Sequence, residues 1–320
     1  MENNWKNIIG TAAGDKEHML GKFLYFSLAN VLVDKQEFSE LCDGILGIPY
    51  TGGKRLPVAD AFKSATGDIR ERLHDREQNI CVIYCRDNKH DPDMLSRELV
   101  KETLNQRTNQ YQKLANIRYD KTSGSFSYDD ISTDPDVNTL ALCRQAENLF
   151  EMYQVCVNRN QIETFCKNYL YRLEATKASV TGHLYFVPKH TMEQVEAFES
   201  FIEGLSEHSR NGSRLTANSF YIIDDAKQRD KMTEEFYIAV KKEIAEYQER
   251  ADYLIKSGSR SPAILERWVM RIDSLEEKKR HYEAILRREL DGLDDEFEIL
   301  RFLSQELSIR AKGLRSKRAA

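Results

Sequence analysis

Two histidines and a pair of aspartates stand at the ends of two short apolar segments and offer the side chains that metal or acid–base chemistry requires. His183 and His190 flank one segment, and Asp224 and Asp225 follow the other. Imidazole and carboxylate groups bind divalent metals and act as general bases. However, the histidines lie seven residues apart, and Pro188 is expected to turn His190 towards solvent. A metal-dependent hydrolase centred on His183, His190 and Asp224 is therefore the third hypothesis for function, behind two binding roles.

A second group of charged residues has the side-chain types of a magnesium-dependent nuclease: Asp91, Asp93, Glu98 and Lys101. Such a site places an acidic residue and a lysine on the same face of a strand, with one residue between them in the sequence. Glu98 and Lys101 are three residues apart, which does not fit. The chain also lacks a phosphate-binding glycine loop, a His-Glu-x-x-His motif and a dinucleotide-binding glycine pattern. The sequence therefore predicts no catalytic residue, no metal ligand and no cofactor, and favours a non-enzymatic role.

The C-terminal tail carries five cations within nine residues: Arg310, Lys312, Arg315, Lys317 and Arg318. Such a cluster releases counterions when it binds nucleic-acid phosphates. The whole chain has a formal charge of −5, which opposes a surface built entirely for nucleic acid. Nucleic-acid binding through the tail is the second hypothesis, and a solvated, frayed terminus is its structural alternative.

Four aromatic residues in the C-terminal helical stretches are predicted to bind a partner: Trp268, Tyr282, Tyr247 and Tyr253. Aromatic side chains often anchor protein–protein contacts because they bury large areas. The alternative is that they pack within the helices and on the rest of the protein. Oligomerisation or partner binding through this region is the leading functional hypothesis.

The helices that carry these aromatic residues have a regular apolar spacing. Steps of three and four residues separate Tyr237, Val240, Ile244, Tyr247, Ala251 and Leu254. A second run of the same spacing extends from Leu265 to Leu286, with Lys279 on its apolar seam. Because Gly258 and Pro262 interrupt the helix between the runs, residues 226–320 are predicted to form an antiparallel coiled-coil hairpin. A further helix after it folds back or extends.

Residues 1–133 are predicted to form a mixed module with a small antiparallel sheet. Residues 16–33 have apolar spacing that indicates a buried helix. The β-branched and aromatic residues of 79–87 indicate a strand, and the segments 111–120 and 124–130 continue a meander. The segment 95–105 fits either a strand or a helix.

Residues 134–225 are predicted to be helical, with two short strands at 182–190 and 219–225. One helix separates these strands, so they pair in parallel through a right-handed crossover or join the first sheet. The fold class is therefore α+β and predominantly helical, with an N-terminal antiparallel sheet and a C-terminal coiled-coil hairpin.

Composition indicates a folded protein of the cytoplasm. The 320 residues are 41% hydrophobic, and no apolar run reaches the ~20 residues that span a bilayer. The polar N-terminus lacks a secretory signal. Six cysteines lie in apolar stretches and are expected to be buried, reduced thiols.

Four segments carry a resemblance to other proteins: 45–50 (ILGIPY), 57–66 (PVADAFKSAT), 182–190 (GHLYFVPKH) and 219–225 (SFYIIDD). In this order, before long charged helices, they resemble an uncharacterised group of proteins carried by bacteriophages and other bacterial mobile elements. The resemblance implies a bacterial or phage origin and an intracellular setting, and it assigns no activity and no functional residue.

Together these observations favour a non-enzymatic assembly protein that forms a homo-oligomer and binds a protein partner. The resemblance, rather than any residue chemistry, implies that this partner belongs to a bacterial defence complex. Nucleic-acid binding by the tail is the alternative, and the metal-dependent hydrolase comes third.

Overall fold

The computed structural model describes residues 10–11, 18–53, 55–88, 91–104, 109–178, 182–290 and 292–319. These residues form antiparallel sheets packed against helices. The strands are β1 Gly10–Thr11, β2 Met19–Ser27, β3 Leu32–Asp34, β4 Arg70–His74, β5 Ile80–Asp87, β6 Met94–Leu104, β7 Gln110–Asp120, β8 Phe126–Asp129, β9 Cys156–Asn158, β10 Thr176–Lys177, β11 His183–Pro188 and β12 Thr216–Ile223. The helices are α1 Lys35–Leu46, α2 Val58–Gly67, α3 Thr139–Val155, α4 Arg159–Arg172, α5 Gln194–Glu207, α6 Ala226–Lys256, α7 Pro262–Leu286 and α8 Asp294–Ala319. The protein is thus a helix-rich mixed α/β protein with antiparallel sheets.

The chain divides into two compact units, each assembled from separate stretches. The bundle unit comprises Met1–Ser27, Thr164–Glu203 and Thr216–Ala320. The meander unit comprises Leu28–Glu163 and Gly204–Leu215. Each unit therefore combines stretches that are far apart in the chain.

The meander unit contains a five-stranded antiparallel sheet whose strands follow chain order from β4 to β8. On β5, Cys81, Ile83 and Cys85 are buried and alternate with more exposed residues. This two-residue period turns one face of the strand towards the core that α2 and α3 complete. The predicted meander is confirmed.

The segment that fitted either a strand or a helix is strand β6, which pairs with β5 on one side and β7 on the other. Its pairing with β7 shifts register between Leu99 and Val100, and both side chains are buried. Such a bulge interrupts the two-residue alternation of a strand. The interruption explains why the apolar spacing of this segment also fitted a helix.

The predicted helix at residues 16–33 is wrong, because this stretch contains β2, the middle strand of the other five-stranded sheet. Strand β2 pairs with β11 and with β12, and eight of its nine residues are buried or partly buried. A strand covered on both faces has a nearly continuous apolar sequence, so periodicity does not separate it from a buried helix. Gly21 is required here, since a Cβ at this position would lie 2.1 Å from the carbonyl oxygen of Val187.

The two short strands predicted at 182–190 and 219–225 are β11 and β12, and the proposed direct parallel pairing is wrong. Both strands are antiparallel to β2 and lie on opposite sides of it. They are therefore parallel to each other but separated by β2. They do not join the sheet of the meander unit, which was the alternative.

Helices α6, α7 and α8 pack together in the bundle unit. Tyr247 of α6 contacts Trp268, near the start of α7, whereas Phe236 contacts Tyr282 near its end. The two helices are therefore antiparallel, as the hairpin prediction required. Helix α8 folds back along α7, and Asp273 of α7 accepts a hydrogen bond from Ser304 of α8. The inner faces of all three helices share one apolar core with β2, β11 and β12.

Two expectations from composition concern the thiols and the membrane. The six cysteines are free and buried, which confirms that prediction. Among the described helices, none has the length and apolar character needed to cross a bilayer.

Candidate functional site

The four aromatic residues predicted to bind a partner occupy different environments in the bundle unit. Tyr282 is completely buried, and its ring stacks on Phe236 with the ring centroids 3.7 Å apart. Tyr247 is buried and lies edge-on to the partly buried Trp268, with centroids 5.4 Å apart. Tyr253 is 58% exposed, with the Arg250 guanidinium over its ring. Three of the four rings thus pack within the bundle, and Tyr253 remains accessible.

Helix α8 has an exposed apolar face that the sequence analysis did not identify. Ile299, Phe302 and Ile309 are 53%, 69% and 65% exposed, whereas Leu300 and Leu307 of the same helix are fully buried. Steps of three and seven residues place the exposed three on one side of the helix. The inward and outward apolar residues overlap along the sequence, which is why heptad spacing alone did not separate them.

Charged residues extend this face at both ends. Asp295 and Glu298 are exposed near the start of α8, and Lys312 is exposed near its end. We define the α8 stripe as Asp295, Glu298, Ile299, Phe302, Ile309 and Lys312. It is acidic at the N-terminal end, apolar in the middle and basic at the C-terminal end.

The basic tail forms the last turns of α8 rather than a frayed terminus. Arg315 donates two hydrogen bonds of 2.6 Å to the carboxylate of Glu266. This pairing lowers the pKa of Glu266 and raises that of Arg315. Arg310 donates at 2.7 Å to Glu306 and at 2.7 Å to a backbone carbonyl of α6. Two of the five predicted cations are therefore engaged within the bundle unit.

Of the remaining predicted cations, Lys312 and Lys317 are exposed. The side chain of Arg318 lies outside the part of the chain that the structure describes. Of the four tail cations whose side chains the structure describes, Arg310 and Arg315 are thus paired with carboxylates.

The structure does not bring His183, His190 and Asp224 together. His183 pairs with Phe26 at the C-terminal end of β2. Asp224 directly follows Ile223, which pairs with Met19 at the N-terminal end of β2. The length of β2 therefore separates them. Asp224 forms ion pairs with Arg229 and Arg287, which compensate its charge.

Two of the residues considered for a nuclease site, Lys101 and Glu98, form ion pairs with other residues. Lys101 is buried, and its ammonium lies 3.1 Å from Asp134 and 3.3 Å from Asp136. Glu98 forms a 2.8 Å ion pair with Arg86. These contacts, within the meander unit, are those of a structural charge network.

His190 instead belongs to a cluster that the sequence analysis did not identify. Its Nε2 lies 3.0 Å from a carboxylate oxygen of Glu174, and His281 Nδ1 lies 2.8 Å from the other. The two imidazole rings are 5.2 Å apart, centre to centre, and inclined at 66°. Among the described residues, these three are the group whose ligand atoms lie close enough together to hold a metal ion.

The backbone at Glu174 has a conformation that usually requires glycine. Helix α4 ends in a Schellman motif, in which the amide of Ala175 donates to the carbonyl of Leu170 and that of Glu174 donates to Tyr171. Glu174 has φ +54°, in the left-handed region. This conformation costs a residue with a Cβ roughly 1 kcal/mol. Non-glycine residues in such conformations are concentrated at functional sites.

Three side chains fix the loop that carries Glu174. Thr191 Oγ1 donates to the Leu173 carbonyl at 2.7 Å, the Tyr282 hydroxyl donates to the Glu174 carbonyl at 2.9 Å, and Lys278 Nζ donates to the Ala175 carbonyl at 3.2 Å. Burial raises the pKa of the Tyr282 hydroxyl, so it stays a hydrogen-bond donor at neutral pH.

These bonds couple the loop to the elements that carry both histidines. Thr191 follows His190 directly in the chain, and Tyr282 follows His281. A shift of either histidine would therefore disturb a hydrogen bond to the Glu174 loop. The backbone segments that carry the carboxylate and the two imidazoles are therefore tied to one another.

One known protein family matches most of this chain. A family model matches residues 19–313 and is described as DUF6744, a family of unknown function. The chain belongs to this family. No curated protein matches the chain. The region shared with DUF6744 contains the Glu174 cluster and the α8 stripe.

Proposed function

We propose that this protein is a non-enzymatic assembly protein that forms a symmetric homodimer through the α8 stripe. One observation carries the proposal: an exposed apolar segment on α8 lies between acidic residues at one end and a basic residue at the other. Ile299 and Phe302 are neighbours on α8, and Ile309 lies two turns further along the same side, beyond Gln305 and Glu306. Exposed apolar side chains grouped on one side of a helix commonly mark protein interaction sites.

The order of charges along the stripe suits a second copy of the same helix in antiparallel orientation. Phe302 and Ile309 lie at nearly equal distances on either side of Gln305, and so do Glu298 and Lys312. A two-fold axis near Gln305 would pair each phenylalanine with an isoleucine of the partner. It would also pair each glutamate with a lysine, as an isologous interface requires.

Apolar burial would supply most of the affinity of this interface, and the charges would select the antiparallel register. The proposal includes coiled-coil packing of the α6–α7 hairpin, which supports α8 from behind. The three-and-four spacing of the buried residues of α6 supports that packing.

The assembly test is sedimentation velocity or light scattering over a concentration series. The Phe302→Glu variant should remain a monomer at concentrations where the wild type is a dimer. Ile238→Glu is the matched control, because Ile238 is also exposed, at 58%, but lies on α6. We expect this control to dimerise like the wild type.

A charge swap tests whether the partner is a second copy. Lys312→Glu should weaken the dimer, and the double variant Glu298→Lys with Lys312→Glu should restore it. The two residues are 14 positions apart on one helix, which is about 21 Å. Because no contact within one chain can join them, rescue requires a second chain. A wild type that stays monomeric throughout the series overturns the proposal.

The wider role we propose is binding of a protein partner by the assembled form, in a bacterial cytoplasm. The resemblance of four segments to proteins of phages and mobile elements supports that origin, with a bacterial defence complex as the partner. Six reduced, buried cysteines are typical of a reducing compartment. Pull-down from bacterial lysate with wild type and with Phe302→Glu tests whether partner binding depends on assembly.

A second candidate function is nucleic-acid binding, supported by the exposed Lys312 and Lys317 on the last turns of α8. Salt-dependent affinity for DNA or RNA that falls in the Lys312→Ala, Lys317→Ala double variant would support it. Removal of residues 310–320 should then abolish the affinity. Affinity unchanged by either alteration contradicts this candidate.

A further inference from the structure

We propose that Glu174, His190 and His281 form a binding site for one divalent transition-metal ion, and that this ion is zinc. The three residues lie in the bundle unit on different elements and are distinct from the α8 stripe. The inference is therefore independent of the proposed assembly function.

The spacing of the three side chains suits a metal. Zinc lies about 2.0–2.2 Å from imidazole nitrogen and carboxylate oxygen, so ligand atoms around a tetrahedral ion are about 3.3 Å apart. The two carboxylate–imidazole distances here are 2.8 Å and 3.0 Å. All three ligand atoms lie within 4.8 Å of one another. The separations of the ligand atoms would therefore have to change by no more than about 1.5 Å to reach coordination distances.

The chemistry of the ligands selects the class of metal. Two imidazoles and one carboxylate suit zinc and its neighbours in the first transition series, whereas magnesium and calcium prefer oxygen ligands alone. Zinc sites with three protein ligands leave a coordination position for water or another ligand. The side chains of His190 and His281 are 40% and 52% exposed, so the site is open on that side.

The loop that holds Glu174 is already ordered for binding. The carbonyls of residues 173–175 each accept a hydrogen bond from a fixed side chain, and two of the donors are next to the histidines in the chain. Metal affinity depends strongly on such supporting contacts around the ligands. At the centre of these contacts, the Glu174 carboxylate lies between the two imidazoles, 3.0 Å from His190 and 2.8 Å from His281.

The simpler interpretation is that the cluster is two glutamate–histidine ion pairs with no metal role. The two interpretations differ in what the protein binds. Two exposed ion pairs without a metal role should not bind one equivalent of zinc selectively over magnesium. A preformed site with three ligands should bind zinc in this way.

The experiment is titration of the whole 320-residue chain without a tag, first stripped of metal with a chelator and dialysed. Calorimetry with Zn²⁺ should give one equivalent per chain, and Mg²⁺ should give no saturable binding. His190→Ala and His281→Ala should each weaken zinc binding at least about tenfold, and the double variant should abolish it. Glu174→Gln keeps the size of the side chain but removes its charge, and it should also weaken binding.

His74→Ala is the matched control, because His74 is exposed on β4 of the meander unit, outside the cluster. It should bind zinc like the wild type. Circular dichroism and thermal melting of each variant identify any that fail to fold. Should His281→Ala be unstable, His190→Ala and Glu174→Gln still test the site.

Visible absorption after loading with Co²⁺ identifies the ligands. Histidine and carboxylate ligation gives ligand-field bands without the strong near-ultraviolet band of cobalt–thiolate bonds. A thiolate band would show that the buried cysteines bind the metal and would overturn the assignment. The proposal also fails when zinc binds the His190→Ala, His281→Ala double variant as tightly as the wild type, or when the wild type shows no saturable zinc binding.

Discussion

The inner and outer faces of the helix bundle use similar residues in opposite surroundings. Phe236 of α6 is fully buried and stacks on Tyr282, whereas Phe302 of α8 is 69% exposed. Burial of the Phe236 ring away from water stabilises the folded chain. The Phe302 ring is still in water, so its burial against a partner would stabilise a complex instead. The comparison separates residues that maintain the bundle from residues available to a partner.

The largest effect is expected for Phe236→Ala. Removing a buried ring eliminates its apolar burial and leaves a cavity against Tyr282, at a cost of about 3–5 kcal/mol in the free energy of unfolding. Urea denaturation followed by circular dichroism measures this value. Chain concentrations below those that support dimers should be used, because association also stabilises the folded state. A loss below about 1 kcal/mol would show that the inner face is not the structural face.

An intermediate effect is expected for Tyr282→Phe, which keeps the ring but removes the hydroxyl. The carbonyl of Glu174 then loses its donor at a buried position, which costs about 1–2 kcal/mol. The loop that carries Glu174 should also be less well fixed, so zinc affinity should fall severalfold. Urea denaturation and zinc calorimetry on the same sample measure both. An unchanged zinc affinity would show that the hydroxyl supports only the fold.

Phe302→Ala should have the opposite pattern from Phe236→Ala. The free energy of unfolding of the monomer should change by no more than about 0.5 kcal/mol, because the ring is exposed. The dimer dissociation constant should rise at least about tenfold, as is typical for a central aromatic residue. Equal stability losses in the two phenylalanine variants would remove the distinction between the faces.

The smallest effect is expected for Tyr253→Ser. Tyr253 was one of the four residues predicted to bind a partner, and it is exposed on α6, outside the residues that define the α8 stripe. Neither monomer stability nor dimer affinity should change measurably. A loss of partner capture in the lysate pull-down with the dimer intact would instead make Tyr253 part of a separate partner surface.

Local patterns were sufficient for strand β5 of the meander and for helices α6 and α7 of the bundle. The β-branched and aromatic residues of 79–87 predicted β5, and in the structure Cys81, Ile83 and Cys85 are buried and alternate with more exposed residues. Apolar residues three and four apart predicted α6 and α7, because each helix buries a single stripe. In both cases the periodicity of burial reflects one packed face.

The same reasoning failed where burial has no single face. Strand β2 is covered on both sides, so its sequence has no two-residue alternation, and the bulge at Leu99 interrupts the alternation of β6. The pairing of β2 with β11 and β12 joins residues about 160 to 200 positions apart, and nothing in a local window indicates it.

For the candidate sites too, some features followed from the sequence and others depended on the tertiary structure. The sequence alone determined that long amphipathic helices carry aromatic residues and that the chain ends in a cluster of cations. Only the tertiary structure decided which aromatic residues face inwards and which cations are paired. It also brought Glu174 of the loop after α4 to His281 of α7, 107 residues away. The physical reason is that side-chain environment depends on contacts between distant segments, whereas a sequence pattern reports only the geometry of its own element.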